Sequence, residues 1–123
     1  MNYELAKKLK DAGFPQKGRS QEAYYLNVGH TIGMVDADLY NGVSEEFRDA
    51  KLVYAPNLED LIEATPQLLA LHRVTESNRD RLRSVFLSEG DSWAAESANF
   101  EWWSGSTALL ALAKLWLALH KVR

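Results

Sequence analysis

Three histidines are the side chains of this sequence best suited to proton transfer or metal binding near neutral pH: His30, His72 and His120. None of them has a second histidine three or four residues away, the spacing that places two metal ligands on one side of a helix. The histidines can still meet in the folded chain. The sequence therefore predicts no metal pair and leaves a histidine-based site open.

Other patterns for bound ions and cofactors are incomplete. Residues 36–42, DADLYNG, begin like a calcium loop, but Tyr40 and Phe47 stand where such a loop needs oxygen ligands. Gly29 and Gly33 lack the spacing of a phosphate-binding glycine loop. The absence of cysteine excludes thiolate metal ligands, a cysteine nucleophile and disulfides. We predict no cofactor, no metal and no catalytic residue, and expect a non-catalytic protein; an enzyme site assembled from distant residues is the alternative.

An alternating row of arginines is the best candidate for contact with nucleic acid. On a strand, Arg79, Arg81 and Arg83 would project from one face, and Arg73 on the preceding strand can join them. The net charge of −3 and the acidic residues among these arginines favour a more ordinary explanation, an exposed sheet face with cross-strand ion pairs. Nucleic acid is therefore an alternative partner that the sequence does not favour.

The longest apolar run, Gly105 to Leu119, predicts a C-terminal helix that the Thr107 hydroxyl caps. One face of this helix is apolar, is flanked by Trp116 and Ala118, and is expected to pack inside the fold. The residues of this stripe are Ala108, Ala111, Leu112, Leu115 and Leu119. The opposite face carries leucines beside a lysine, so either the fold or another chain must cover it. The residues that we expect to contact a protein partner are Leu109, Leu110, Lys114 and Leu117, together with Trp103.

The elements that position these residues follow from capping and periodicity. Asn2, Ser44 and Asn57 each precede a helical segment and are expected to be N-caps. Glycine at position 13 is expected to end the first helix. The predicted helices run over residues 3–12, 45–50 and 58–64, and the predicted strands over residues 23–28, 34–40 and 51–55.

Three later segments, 67–75, 81–88 and 92–102, are predicted to form an antiparallel meander. The segment 67–75 can also continue the preceding helix, because a short apolar run fits both the helical and the strand period. We predict an α+β fold in which an antiparallel sheet of three to five strands is packed by the C-terminal helix and one or two further helices. The length predicts a single domain over residues 1–123.

The N-terminal residues 1–10 are charged and lack the apolar core of a signal peptide. No segment has the ~20 apolar residues that a transmembrane helix requires. We therefore expect a soluble, cytoplasmic protein without a membrane contact.

Two motifs resemble those of small uncharacterised proteins of phages and prophages. Residues 56–64, PNLEDLIEA, are similar to their block PTLxELIEA, and residues 105–119, GSTALLALAKLWLAL, are similar to their block GxTPEEAxAxLWLAL. The resemblance covers residues 51–120 and extends to the opening LAKKLKDAGFPQ. It implies a phage-related origin and no catalytic residue. This chain departs from the family at Ala108–Leu110, where Pro-Glu-Glu is replaced and apolar surface is added.

A looser likeness is to HicB-type antitoxins and double-stranded-RNA-binding domains. The element order from residue 57 onward is similar to that of the RNA-binding domain, and the motif G-x-T-x-x-x-A at 105–111 is similar to one in the antitoxins. Ala108–Leu110 supplies none of the lysines with which the RNA-binding domain contacts phosphate. The leading hypothesis is a phage-type accessory protein that acts through protein contacts as a homo-oligomer. The alternative is a nucleic-acid-binding or antitoxin-like module.

Overall fold

A computed structural model describes residues 1–16, 23–29, 31–36, 42–79, 91–98 and 101–120 of the 123-residue chain. Within these residues the protein has an α+β fold with two antiparallel three-stranded sheets and four helices. The chain divides into two compact units, Met1–Pro56 and Asn57–Arg123. The predicted α+β class is confirmed, and the single domain stays a prediction.

The first unit is built around a small antiparallel sheet. The strand order is β2-β1-β3, so β1 is central and the other two strands are edges. The elements of this unit are α1 (Tyr3–Asp11), β1 (Ala23–Val28), β2 (Thr31–Asp36), α2 (Glu45–Lys51) and β3 (Leu52–Tyr54).

The position of β2 corrects the predicted strand over residues 34–40. The strand begins at Thr31, which pairs with Val28, and Gly33 lies inside it rather than beside a turn. The physical reason is a tight turn: Gly29 adopts a positive φ of 62°, so the chain reverses over two residues and pairing resumes at once. Residues 37–40 lie outside the described residues.

The helix α1 begins and ends where capping predicted. The side chain of Asn2 accepts a hydrogen bond from the Leu5 backbone N–H at 2.8 Å. Gly13 follows the helix with a φ of 96°, which glycine adopts without steric cost. Ala6 and Leu9 are fully buried and fix the inner face of the helix.

Aromatic side chains form much of the core of this first unit. Tyr24 on β1 pairs with Tyr54 on β3, and both side chains are almost fully buried. Their ring centroids lie 5.2 Å apart, and Phe14 lies 6.4 Å from Tyr54. Such tilted aromatic pairs add specific packing to the burial of apolar area.

Lys10 on α1 is held against the edge strand β3. Its Nζ donates hydrogen bonds to the backbone oxygens of Asp49 at 2.6 Å and Leu52 at 2.8 Å. Removal of the ammonium from water, aided by the charge of Lys7, lowers the pKa of Lys10 below its usual 10.5.

This lowered pKa predicts a dependence of stability on pH. Between the lowered pKa and 10.5 the unfolded chain binds more protons than the folded chain, so the free energy of unfolding rises with pH. We expect the wild-type chain to gain stability relative to Lys10→Met as the pH rises toward 10.5. Urea unfolding of both proteins at a series of pH values measures the difference, and parallel curves would contradict the assignment.

The second unit packs two helices with another three-stranded sheet. The strand order is β4-β5-β6, and α4 contacts β5, β6 and α3. The elements are α3 (Leu58–Ala64), β4 (Leu68–Arg73), β5 (Trp93–Ser97), β6 (Trp102–Gly105) and α4 (Ala108–Leu119). The segment 67–75 thus forms a strand and does not continue the helix.

Two of the three segments of the predicted meander are described, and the boundaries of the second of them, 92–102, were wrong. The predicted third strand, 92–102, is two strands, because a hairpin interrupts it. Ser97 N–H donates to the Glu101 oxygen at 2.9 Å, and Glu101 N–H donates to Ser97 Oγ at 3.2 Å. On its other side, the strand β5 pairs directly with β4. The predicted middle strand, 81–88, lies outside the described residues.

Both helices of this unit begin at their predicted caps. Asn57 and Asp60 form a capping box in which each side chain accepts from the other's backbone N–H. The Thr107 side chain accepts from the Leu110 N–H at 3.1 Å. No helix in the described part of the chain is both long and apolar enough to cross a membrane.

Candidate functional site

Two residues on the face of α4 that was predicted to contact a partner protein have neighbours on β6, within the second unit. Lys114 Nζ donates to the backbone oxygen of Ser104 on β6 at 2.9 Å. Leu110 lies against Gly105, since a Cβ at that glycine would be 2.9 Å from Leu110 Cγ. The side chains of Leu109 and Leu117 are half-buried.

Trp103 is the most exposed of the five residues predicted to contact a partner. It lies on the edge strand β6 and pairs with Ala95, and it retains 38% of its exposure. Leu110 and Lys114 have contacts inside their own unit, but they are half-buried like Leu109 and Leu117. The interaction role of all five residues stays a prediction.

The structure describes two of the four arginines of the predicted ladder, and only Arg73 of these two lies on a strand. Arg73 ends β4 and is exposed, but Arg79 lies in a helical turn, where its N–H donates to the Thr75 oxygen at 2.9 Å. Asn78 causes the change: its side chain accepts from Thr75 N–H and donates to the Arg73 oxygen, which ends the strand. The two remaining arginines of the ladder lie outside the described residues; they are Arg81 and Arg83.

A cluster of three side chains in mutual contact lies on one face of the β4-β5-β6 sheet: His72, Glu96 and Trp102. Across the sheet, β4 pairs His72 with Ala94 on β5, and Glu96 pairs with Trp102 on β6. Because side chains alternate with a period of two, Glu96 projects on the same face as Ala94 and lies diagonal to His72.

The geometry of this cluster is specific. His72 Nε2 lies 3.0 Å from Glu96 Oε1, and the side chains retain only 24% and 22% of their exposure. The imidazole also stacks on Trp102, with ring centroids 5.2 Å apart and planes 20° apart. The carboxylate orients the imidazole in its plane while the indole fixes it from one side.

The chemistry open to this cluster is limited by what surrounds it. A carboxylate bonded to one imidazole nitrogen is the arrangement that orients a histidine for proton transfer or metal binding. Among the described residues, no group of three or more histidine, aspartate or glutamate side chains is placed to hold a metal ion. We interpret the cluster as a cross-strand contact that stabilises the sheet.

Removing the stacked pair tests this interpretation. We expect a double-mutant cycle of His72→Ala and Trp102→Ala to give a coupling free energy of about 1 kcal/mol, the usual size for stacked aromatic rings. Denaturant unfolding of the four proteins measures this coupling. His72→Phe, which retains a ring, is the matched control and should keep most of the stability. A coupling near zero would contradict a stabilising role.

The other histidines do not join this cluster in the described part of the chain. His120 follows α4, stacks on Trp116 at 4.0 Å and places Nδ1 2.9 Å from the Trp116 oxygen. His30 lies outside the described residues. His72 and His120 therefore each stack on a tryptophan of their own.

A separate apolar surface lies on the first unit. Ile32 and Met34 on the edge strand β2 retain 48% and 53% of their exposure. They are two residues apart, so they project from the same face of the sheet. The neighbouring strand places Asn27 beside Ile32 and Tyr25 beside Met34.

The N-terminal end of α1 covers β1 on this face but leaves β2 open. Tyr3 packs edge-on against Tyr25 with centroids 5.6 Å apart, and its hydroxyl accepts from Asn27 Nδ2 at 3.0 Å. The Tyr25 hydroxyl donates to the Met1 backbone oxygen. We call Tyr3, Tyr25, Ile32 and Met34 the β2 surface. Tyrosine and methionine are residue types enriched in protein interfaces.

Sequence reasoning missed both the cluster and the β2 surface. Ile32 lay outside the predicted strand, so no face could be assigned to it. No protein-family model, no curated protein and no solved structure matches this chain. The resemblance to phage-associated proteins and the looser likeness to antitoxins stay predictions from sequence motifs.

Proposed function

We propose that this chain is a non-catalytic, cytoplasmic accessory protein of the phage-associated type that acts through contacts with protein. We further propose that the β2 surface makes the contact. One observation carries this proposal: Ile32 and Met34, two large apolar side chains, are about half exposed side by side on an edge strand.

The placement of these side chains distinguishes them from isolated exposed residues. A single exposed apolar residue is ordinary on a protein surface, whereas a continuous patch is typical of a contact site. Met34 pairs with Tyr25 on β1, and the half-buried ring of Tyr25 packs against Tyr3, so the apolar side chains extend from β2 onto the neighbouring strand. Burial of the remaining exposed half of Ile32 and of Met34 would contribute about 1 kcal/mol each.

The nucleic-acid alternative has less support. It depended on a row of arginines along one strand, and Arg79 lies in a helical turn after β4. The α4 face also has less support as the contact, because Leu110 and Lys114 contact β6. Contact through the β2 surface is therefore the better-supported hypothesis.

Site-specific photo-crosslinking tests the proposal in cells that make the protein. A benzophenone amino acid in place of Met34 should yield a discrete adduct on illumination. The matched control replaces Ile62, an apolar side chain on α3 with 43% of its exposure, which lies in the other unit. Little or no adduct is expected there.

A second change makes the test specific to the β2 surface. Adding Ile32→Lys to the position-34 probe should abolish the adduct, because a charge beside the probe disfavours apolar contact. Equal yields at positions 34 and 62, or an adduct that survives Ile32→Lys, would contradict the proposal.

A further inference from the structure

We infer that the partner at the β2 surface is a second copy of this chain, whose β2 pairs antiparallel with this β2 about a two-fold axis at Gly33. This inference rests on the proposed contact function and names its partner. It follows from three features of β2: an open edge, a self-complementary sequence and the absence of charge over residues 31–35.

The two edge strands of the first sheet differ in whether side chains bond to their outward-facing backbone N–H and C=O groups. On β3, Lys10 Nζ donates to the Leu52 oxygen, and the Tyr54 N–H donates to Gln16 Oε1 at 2.7 Å. Side chains thus occupy backbone groups that point away from β1. In the described part of the chain, no side chain bonds to the backbone of β2 in this way. Unpaired edge groups are a template for another strand.

The sequence of β2 is self-complementary about its central glycine. With the axis at Gly33, Ile32 lies opposite the partner's Met34, and Met34 lies opposite the partner's Ile32. Thr31 lies opposite the partner's Val35, a pair of β-branched side chains on the other face. Each exposed apolar side chain therefore meets another one, as an isologous interface requires.

The centre of the strand is also sterically open. A Cβ at Gly33 would have no neighbour within 4 Å, so the face of the sheet at the proposed axis has room for a side chain at this position. Residues 31–35 contain no charged residue and no proline, the two devices by which edge strands most often resist pairing. Like charges consequently do not meet across the proposed axis.

The size of the strand sets the expected strength of association. A six-residue strand is short, and a standard stable interface buries roughly 800 Å² on each partner. We therefore expect a weak dimer whose population depends on protein concentration.

Single cysteines test the register, because the chain has no cysteine of its own. In an antiparallel pair about Gly33, the two Cα atoms at position 33 lie about 4.5–5.5 Å apart, within disulfide range. Gly33→Cys should form a disulfide-linked dimer under mild oxidation of the purified full-length chain. In the control Thr31→Cys, the two cysteines are offset by four residues, about 13 Å along the strand, and should not cross-link.

The outcomes distinguish a failure of the proposed dimer from a failure of the proposed contact function. Cross-linking of Gly33→Cys at least about tenfold faster than that of Thr31→Cys, with both proteins folded by circular dichroism, supports the dimer. Equal rates, or no cross-linking at position 33, would overturn it. If the photo-probe at position 34 still captures a different protein in an Ile32-dependent way, the second copy is wrong and the contact function stands.

Discussion

Replacing Leu115 with alanine is expected to lower the free energy of unfolding of the second unit by about 2–5 kcal/mol. The Leu115 side chain has no exposed surface, and its helix α4 contacts β5, β6 and α3. Truncation therefore leaves a cavity that these elements cannot close without moving. Urea unfolding of the full-length chain, followed by tryptophan fluorescence, measures the loss.

Leu117→Ala is the matched control for this cavity. Leu117 lies on the same helix two residues away but is half-buried, so truncation should cost less than half as much. Equal losses at the two positions would contradict the assignment of the inner face of α4.

Replacing Gly105 with alanine is expected to destabilise the same unit by about 1–3 kcal/mol, because overpacking forces neighbouring groups to shift. The added Cβ would lie 2.9 Å from the backbone nitrogen of Ala111 and 2.9 Å from Leu110 Cγ. The backbone atom belongs to α4 and cannot rotate away, so the helix must move. Denaturant unfolding of the variant measures the cost.

Gly33→Ala is the control for this second prediction, since a Cβ at Gly33 meets nothing within 4 Å. We expect it to change the free energy of unfolding by less than about 0.5–1 kcal/mol. A loss at Gly33 as large as that at Gly105 would show that the effect is a general cost of replacing glycine in a strand.

The local features of this fold could be predicted from the sequence. The caps Asn2, Ser44, Asn57 and Thr107 were identified correctly, because a capping side chain bonds to a backbone N–H only a few residues away. The angular period of a helix likewise placed the apolar residues of α4 inside. Ala111, Leu112 and Leu115 are buried as predicted.

The burial of α4 extends beyond the predicted stripe. Ala113 is also buried, and Trp116, which was expected on the flank of the stripe, is buried too, whereas Ala108 and Leu119 are only half-buried. The helix packs against α3 as well as against the sheet, so more than one side of it is covered. The helical period predicts which residues share one face of α4, but it does not predict that a second helix covers another face.

Strand pairing was harder to predict because it joins residues far apart in sequence. The strand β5 ends at Ser97 and β6 begins at Trp102, and the sequence between them, ANFE at 98–101, includes neither glycine nor proline to indicate a turn. Without that turn, Glu96 and Trp102 stand on one long strand, well separated. With it they are cross-strand neighbours, and His72, 24 residues before Glu96, completes the cluster.

Sedimentation velocity of the purified full-length chain tests most directly which apolar surface makes the protein contact. We predict that the 13.9 kDa chain shifts toward twice its mass as its concentration rises through the micromolar range. Met34→Lys should abolish this shift, and Leu117→Glu on α4 should leave it intact. A monomer at every concentration would contradict the second copy as the partner. An association that Leu117→Glu abolishes and Met34→Lys does not would contradict the assignment of the contact to the β2 surface.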